Sequence, residues 1–182
     1  MTQRVALATV LDRLAIDEVI TGYAAAVDDG AWPAYRALFA EDGRADYRDA
    51  GGIEGPAEEM ARWLAETMRL FPVRQHLIVN RRVRLKDLGG YPGDRAEVRA
   101  DYLNPMRLDR AAAGTGSPGE ADSGEADSGE ADSGEADSGR SGGLSPDFVT
   151  GGRYTFELLR TGPDWLIHRL TVHEKWRRAP GV

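Results

Sequence analysis

The N-terminal part of the chain carries apolar residues at helical spacing. From Thr9 to Val27 they recur at steps of three and four residues, and they are Val10, Leu11, Leu14, Val19, Ile20, Tyr23 and Val27. This spacing predicts a helix with one buried stripe. Thr9 suits the N-cap of that helix, and Gly30 suits its end.

Two shorter helices and one short strand are predicted next. Trp32-Pro33 opens a short helix, because proline fits the first helical turn. Gly55-Pro56 opens a third helix, whose apolar side consists of Met60, Trp63, Leu64, Met68 and Phe71. Between these helices, Glu41-Asp42-Gly43 is typical of a turn, and Arg44 to Asp49 is typical of a short strand.

After Pro72 the pattern changes to that of long strands. The four predicted strands are Val73 to Leu85, Glu97 to Leu108, Gly152 to Arg160 and Trp165 to Lys175. Turn residues at Gly89 to Asp94 and at Thr161 to Asp164 separate neighbouring strands. Consecutive strands joined by turns predict an antiparallel sheet. Because the helices gather at the start of the chain, we expect an α+β fold in which they cover one face of that sheet.

An acidic repeat interrupts the strands. Four copies of Gly-Glu-Ala-Asp-Ser run from Gly119 to Ser138, within a segment (111–146) rich in Gly, Ser, Ala, Asp and Glu. Such a segment cannot offset the entropy of ordering, so we expect a disordered loop within a single domain that spans 1–182. The four copies of the repeat carry eight carboxylates. The net charge of the whole chain is −7, so the rest of the chain has a net charge of +1. The acid spacing lacks the ligand pattern of a calcium loop.

Composition narrows the classes of function. The chain contains no cysteine, which excludes disulfides and thiolate chemistry and fits a reducing cytoplasm. No stretch approaches the roughly 20 apolar residues of a membrane span, and Val5 to Leu11 leads into a helix rather than a cleavage site. Arg81, Arg82 and Arg84 form the one basic cluster, and a solvated strand face explains it better than nucleic-acid binding.

Three segments resemble one known family. They are Tyr23 to Trp32 at the end of the first helix, Asp46-Tyr47-Arg48, and Gln75 to Asn80. With three helices before a long sheet, they resemble the SnoaL-like, nuclear transport factor 2-like superfamily, and within it scytalone dehydratase, lindane dehydrochlorinase and bile-acid 7α-dehydratase. The resemblance covers nearly the whole chain except the repeat. It implies a cone-shaped curved sheet, a pocket between sheet and helices, and a homo-oligomer, either a dimer or a trimer.

The resemblance also assigns roles to individual residues. It implies that Asp28 orients His76, that His76 transfers the proton, and that Tyr23 donates a hydroxyl hydrogen bond. Tyr47 resembles a pocket tyrosine of scytalone dehydratase. Imidazole suits proton transfer because its unperturbed pKa, about 6.5, lies nearest neutrality. The first hypothesis is therefore a cofactor-independent lyase or isomerase that removes a proton beside the carbonyl of a hydrophobic, oxygenated ring compound.

Strand alternation adds candidate substrate-binding residues. If the faces that carry His76 and its neighbours are concave, then Asn80, Tyr102 and Tyr154 line the pocket. His168 either reaches the pocket mouth or has a packed or exposed role. We predict no metal, because no two histidines have convincing ligand spacing.

Simpler interpretations remain open at this point. A lone histidine in a strand is often structural, Asp28 lies in an Asp-Asp-Gly sequence typical of turns, and Tyr23 occupies an apolar stripe. Trp176 could serve a subunit contact. The sequence lacks the second pocket histidine of scytalone dehydratase.

The alternative function is a non-catalytic ligand-binding protein or the small assembly subunit of a ring-hydroxylating dioxygenase. A third hypothesis is an interaction protein that acts through the repeat.

Overall fold

The computed structural model describes residues 2–86, 91–109 and 145–179, with side chains from Leu7 onward. Three helices and seven strands make up this part of the chain. The helices are α1 (Thr2–Asp28), α2 (Trp32–Ala37) and α3 (Ala57–Thr67). The strands are β1 (Phe39–Asp46), β2 (Glu54–Pro56), β3 (Val73–Arg74), β4 (Leu77–Lys86), β5 (Arg95–Arg107), β6 (Phe148–Thr161) and β7 (Asp164–Arg178). The predicted acidic repeat lies outside the described residues.

The three predicted helices are present, with two corrections in α1. Its predicted apolar stripe is buried at Ile20, Tyr23 and Val27, but Val10, Leu11 and Leu14 are more than half exposed. This helix begins at Thr2, so Thr9 lies inside it and is not its N-cap. The predicted end is confirmed, because Gly30 adopts a φ of +67°, a left-handed conformation that terminates helices. None of the helices in the described part of the chain is long and apolar enough to cross a membrane.

The strands form one curved sheet with the order β2-β1-β7-β6-β5-β3, and β4 also pairs with β5. All neighbours are antiparallel except β1 and β7, which are parallel. The expectation of a purely antiparallel sheet was therefore wrong at this pair. No hairpin joins β1 to β7, so no local turn fixes their relative direction. Glu41 to Gly43 lies inside β1, at a shift of register, and is not a turn.

Two predicted strands end differently in the structure. Arg44 to Asp49 was expected to be one strand, but β1 stops at Asp46 and Arg48–Ala50 forms a 3-10 turn. Val73 to Leu85 was expected to be continuous, but it divides into β3 and β4 at Gln75 and His76. The division has a tertiary cause, because the backbone N–H of His76 donates to the carboxylate of Asp28 at 2.9 Å.

The core lies between the concave face of the sheet and the helices. On β5 every second residue is buried, and these residues are Ala96, Val98, Ala100, Tyr102, Asn104 and Met106. The predicted inward face of this strand is therefore confirmed. From the helices, Ile16 and Ile20 of α1 and Met60 of α3 are fully buried against it. The helices thus cover one face, as the order of elements predicts.

Gly152 is a position where the fold leaves no room for a side chain. A Cβ there would lie 2.1 Å from the carbonyl oxygen of His173 and 2.9 Å from the ring of Tyr102. We expect Gly152→Ala to lower the free energy of unfolding by about 1–3 kcal/mol, because backbone atoms cannot move aside cheaply. Urea unfolding measures this change.

Gly22 supplies the matched control for that substitution. It lies inside α1, and its Cβ would meet only the side chain of Leu38, at 3.4 Å. Gly22→Ala is expected to be neutral or to stabilise the protein by up to about 1 kcal/mol, since glycine inside a helix is less stable than alanine. Equal destabilisation by both variants would contradict the proposed close packing at Gly152.

Candidate active site

A cavity of about 290 Å³ lies between the sheet and the helices. Its apolar wall comes from α3, from the 3-10 turn that follows it and from two strands, and it includes Trp63, Leu64, Met68, Phe71, Met106 and Phe148. Its polar groups include Tyr23, Tyr47, His76, Tyr102, Asn104 and Tyr154. A mostly apolar cleft with a few converging polar groups is the usual form of a small-molecule site.

Asp28 and His76 form a hydrogen-bonded pair at the wall of this cavity. Asp28 Oδ1 lies 2.6 Å from His76 Nδ1, and Asp28 Oδ2 accepts the backbone N–H of His76 at 2.9 Å. The side chain of His76 is 7% exposed and that of Asp28 is 22% exposed. His76 lines the cavity, whereas Asp28 does not. The two contacts fix both the backbone and the ring of His76.

Local structure explains why these residues meet, although 48 positions separate them. α1 ends at Asp28, which places this carboxylate at the helix terminus and directs it toward the sheet. Arg74 reinforces the arrangement, since its Nε donates to the carbonyl of Val27 at 3.0 Å. A cation at the C-terminus of a helix also interacts favourably with the helix dipole. Arg74 therefore holds the segment before His76 against the end of α1.

The pair determines which nitrogen of His76 is available. An ionised carboxylate only accepts hydrogen bonds, so the proton of a neutral His76 lies on Nδ1 and points to Asp28. Nε2 then carries the lone pair. Asp28 also stabilises the imidazolium that forms when Nε2 takes a proton. This is the arrangement of a general base with an orienting carboxylate.

Three tyrosine hydroxyls form a hydrogen-bonded chain, and two of these residues, Tyr23 and Tyr47, line the cavity. Tyr47 Oη lies 3.1 Å from Tyr23 Oη and 3.1 Å from Tyr35 Oη. Burial raises the pKa of Tyr23 and that of Tyr47 well above the usual value for tyrosine, and it also raises the pKa of Tyr35. These hydroxyls therefore stay protonated at neutral pH, which makes them hydrogen-bond donors and not bases.

A second polar group comes from the neighbouring strands. The rings of Tyr102 and Tyr154 stack with their centroids 4.4 Å apart, and Asn104 Nδ2 donates to Tyr154 Oη at 3.1 Å. Burial raises the pKa of both tyrosines. Tyr102 and Tyr154 line the cavity, as strand alternation predicts.

Glu174 and Arg177 contribute to the cavity without having been identified from the sequence. Arg177 donates to both carboxylate oxygens of Glu174, each at 3.0 Å, and to the carbonyl of Ala50 at 2.8 Å. Both line the cavity although they are three positions apart on one strand. The register between β6 and β7 shifts by one residue near Gly151, which reverses the alternation before Arg177. No sequence pattern marked this bulge.

Asn80 and His168 do not line the cavity, contrary to the prediction for Asn80. A bulge in β4 between Val79 and Arg82 gives Asn80 a φ of +53°, so that it lies on the exposed face, where it donates to Asp101. Asn tolerates this conformation better than most residues. His168 lies near Asp42, with His168 Nδ1 3.5 Å from Asp42 Oδ1, and its role is the packed or exposed one.

Within the ranges 2–86, 91–109 and 145–179, no group of three or more His, Asp or Glu side chains is arranged to hold a metal ion. The groups that line the cavity include an imidazole and several hydroxyls, which support proton transfer and hydrogen bonding.

Curated relatives match part of the chain. The uncharacterized protein Rv2910c of Mycobacterium tuberculosis is 33% identical over 100 residues, which are 55% of this chain and 64% of that protein. Mb2934c of Mycobacterium bovis matches to the same extent. The matched segment is therefore shorter than two thirds of either relative.

Solved structures share the fold over almost the full length. The Kfla4162 protein of Kribbella flavida has a TM-score of 0.67 at 17% identity, over 93% of this chain and 95% of that one. The hexachlorocyclohexane dehydrochlorinase LinA-type3 of Novosphingobium barchaimii has a TM-score of 0.65 at 14% identity, over 97% and 96%. A candidate scytalone dehydratase of Novosphingobium aromaticivorans has a TM-score of 0.63 at 16% identity, over 96% and 91%.

These likenesses establish the fold, and the family follows from the sequence itself. The SnoaL-like domain family matches residues 8–171. The resemblance drawn from the three segments is thereby confirmed at the level of the family. On the strength of that match and of the curved sheet with its helices on one face, the chain belongs to the SnoaL-like domain family.

Proposed function

We propose that this protein is a cofactor-independent lyase or isomerase, in which His76 is the general base. The observation that carries the proposal is the contact of 2.6 Å between Asp28 Oδ1 and His76 Nδ1 beside an open cavity. The tyrosines of the cavity retain their protons, and Arg177 holds Glu174. Nε2 of His76 is thus the group best suited to accept a proton from a bound molecule.

The proposed step removes a proton from a carbon beside a carbonyl. Nε2 of His76 takes the proton, and the electrons of the C–H bond form an enolate whose negative charge collects on the oxygen. Tyr23 donates its hydroxyl hydrogen to that oxygen, and Tyr47 supports Tyr23 through the hydrogen-bonded chain. The enolate then either expels a β-hydroxide, which takes the proton back from His76 as water, or is reprotonated at another carbon. The first course is elimination and the second is isomerisation.

The residues that line the cavity favour one class of substrate, a hydrophobic ring compound that bears oxygen. Trp63, Phe71 and Phe148 supply the apolar surface that a ring would contact. Tyr23 and Tyr154 supply hydroxyls for oxygen atoms, and Asn104 supports Tyr154. The fold neighbour that is a hexachlorocyclohexane dehydrochlorinase also favours elimination from a ring.

Two probes test the proposal without knowledge of the natural substrate. 2-Tetralone has acidic hydrogens beside its carbonyl, so the wild-type protein is expected to catalyse their exchange in deuterium oxide, followed by NMR. γ-Hexachlorocyclohexane has no carbonyl, and release of chloride from it would show elimination from a halogenated ring. Binding of tetralone, seen as a raised melting temperature, without exchange or chloride release would contradict the proposal and favour the non-catalytic ligand-binding function.

Tyr23→Phe tests the hydroxyl that faces the developing charge. We expect the rate of tetralone exchange to fall by about 10²-fold, because one donor of an oxyanion site contributes roughly that much. Tyr35→Phe is the matched control, since Tyr35 occupies the far end of the same hydroxyl chain and does not line the cavity. Its effect is expected to stay below about tenfold. A larger loss in Tyr35→Phe than in Tyr23→Phe would overturn the assigned role.

A further inference from the structure

The side-chain oxygen of Asn104 is a buried hydrogen-bond acceptor without a partner. Asn104 lies on β5, is 4% exposed and lines the cavity. Its Nδ2 donates to Tyr154 Oη at 3.1 Å, but Oδ1 has no donor among the residues that the structure describes. Most buried polar atoms have a partner, because an acceptor that loses water and gains nothing in exchange lowers stability. An unpaired acceptor on a residue of the cavity wall therefore indicates a bound molecule as its partner.

Asn104 lies directly opposite His76 in the sheet. Both β3 and β4 pair with β5, and the two pairings share one register across the break between them. The pairs on either side of the break are Arg74 with Met106 and Leu77 with Leu103. The position opposite His76 is therefore that of Asn104. Side chains at opposite positions have Cβ atoms about 4.5–5.5 Å apart, so the amide of Asn104 is a neighbour of the imidazole.

Neither of these neighbours supplies the hydrogen that Asn104 Oδ1 lacks. The proton of a neutral His76 lies on Nδ1 and points to Asp28, so Nε2 has a lone pair and nothing to donate. Tyr154 lies at the nitrogen end of the amide, where it accepts from Nδ2. Two opposed residues of the cavity wall thus provide two acceptors, His76 Nε2 and Asn104 Oδ1. A molecule with two hydrogens close together would satisfy both.

The other side chains of the cavity are less suited to receive a hydroxyl hydrogen. Arg177 donates to both carboxylate oxygens of Glu174, each at 3.0 Å. Burial raises the pKa of Tyr23 and of Tyr154, so both keep their protons and act as donors. Within the described part of the cavity wall, Asn104 Oδ1 is thus the side-chain carbonyl or carboxylate oxygen that is left for a bound molecule.

We propose that Asn104 is a specificity-determining residue whose Oδ1 accepts the hydrogen bond of a substrate hydroxyl. This role rests on the proposed function, because it places the hydroxyl on the carbon whose proton His76 removes. That carbon presents its C–H to Nε2 and its O–H to Oδ1, while Tyr23 donates to the carbonyl oxygen beside it. The substrate class thereby narrows to ring ketones that carry a hydroxyl on the carbon next to the carbonyl.

The hydroxyl that Asn104 binds is retained in the reaction. A hydroxyl leaves carbon more readily when a donor stabilises the negative charge that develops on its oxygen. Asn104 Oδ1 has the opposite effect, because it accepts the hydroxyl hydrogen and leaves more electron density on that oxygen. The contact therefore disfavours expulsion of this hydroxyl. It favours the course in which His76 removes a proton and returns it to carbon, with no group expelled.

Two small ketones test the hydroxyl contact by calorimetric titration, which requires no turnover. 2-Hydroxy-1-tetralone carries the proposed hydroxyl, and 2-methyl-1-tetralone carries a methyl group of similar size that donates no hydrogen bond. We expect the wild type to bind the hydroxyl compound about tenfold more tightly than the methyl compound. In Asn104→Leu this preference is expected to disappear, while the affinity for the methyl compound changes little. Equal binding of the two compounds by the wild type, binding of neither, or a preference that survives in Asn104→Leu would overturn the inference.

Two further variants separate the acceptor from its surroundings. Thr150 lies opposite Asn104 on β6 and also lines the cavity, so Thr150→Val removes a neighbouring hydroxyl with little change in shape. This control is expected to keep the preference, and its loss here would assign the recognition to Thr150 instead. Asn104→Asp covers the case in which Asn104→Leu does not fold. Both oxygens of aspartate accept hydrogen bonds, so the preference is expected to persist, and its loss would contradict the proposed contact.

Hydrogen exchange at C2 of the same ketones in deuterium oxide separates this inference from the proposed function. We expect Asn104→Leu to raise the KM for exchange of 2-hydroxy-1-tetralone and to leave the KM for 2-methyl-1-tetralone unchanged. A wild type that prefers the hydroxyl compound but exchanges neither ketone would support the hydroxyl contact and contradict His76 as the base. A wild type that exchanges both ketones with equal KM would retain the proposed function and overturn the role of Asn104.

Discussion

His76→Gln is expected to lower the rate of tetralone exchange by about 10²–10⁴-fold, the range that general acid–base catalysis contributes. Glutamine is close to histidine in size and can still donate to Asp28, so this contact persists. It has no nitrogen lone pair able to accept a proton at neutral pH. The loss should therefore appear in the chemical step, while binding of tetralone, measured by the shift in melting temperature, changes little.

The other two histidines of the chain provide controls for this variant. His173 is exposed on β7, and His168 lies near Asp42, away from the cavity. His168→Gln and His173→Gln are expected to retain the wild-type rate within a factor of about two. If His76→Gln exchanged tetralone as fast as these controls, His76 would not be the base and the proposed function would lose its main support.

Asp28→Asn is expected to cause a loss of comparable size, on the order of 10²–10⁴-fold. The asparagine side chain of this variant would have one oxygen for two donors, the backbone N–H and the Nδ1–H of His76. Its amide N–H₂ favours the tautomer of His76 that has the lone pair on Nδ1 and the proton on Nε2. A proton on Nε2 would block the nitrogen that is available to the cavity.

This prediction has a direct spectroscopic readout. Nitrogen-15 NMR distinguishes the two tautomers, and with three histidines in the chain the signals can be assigned by substitution. We expect neutral His76 to be protonated on Nδ1 in the wild type and on Nε2, at least in part, in Asp28→Asn. Asp29→Asn is the control, because Asp29 is the next residue and is exposed. An unchanged tautomer in Asp28→Asn would contradict the orienting role of Asp28.

Much of the fold was predictable because local patterns dictate it. The helix that the apolar spacing predicts for α1 and the turn at Gly162 are both present in the structure, since each depends on residues close in the chain. The inward face of β5 follows in the same way from alternation. The predicted start of α1 was wrong because a residue that suits the N-cap, such as Thr9, can also lie inside a helix.

The candidate site was predictable only in part. Strand alternation placed Tyr102 and Tyr154 correctly, whereas the resemblance supplied the pairing of Asp28 with His76. Asn80 was predicted on the wrong face because a bulge in β4 reverses the alternation of side chains. Arg177 was missed because a bulge in β7 does the same. A bulge leaves no simple mark in the sequence, and a shift of one residue moves every later side chain to the other face.

The sequence by itself determined the number and order of the helices and long strands, and the apolar face that most of them bury. Only the tertiary structure decided that β1 runs parallel to β7, that the strand breaks at His76, and that the first half of α1 turns its leucines outward. The physical reason is the same in each case. These features depend on contacts between residues far apart in the chain, such as Asp28 with His76 and Asp12 with Arg160, and local spacing carries no information about them.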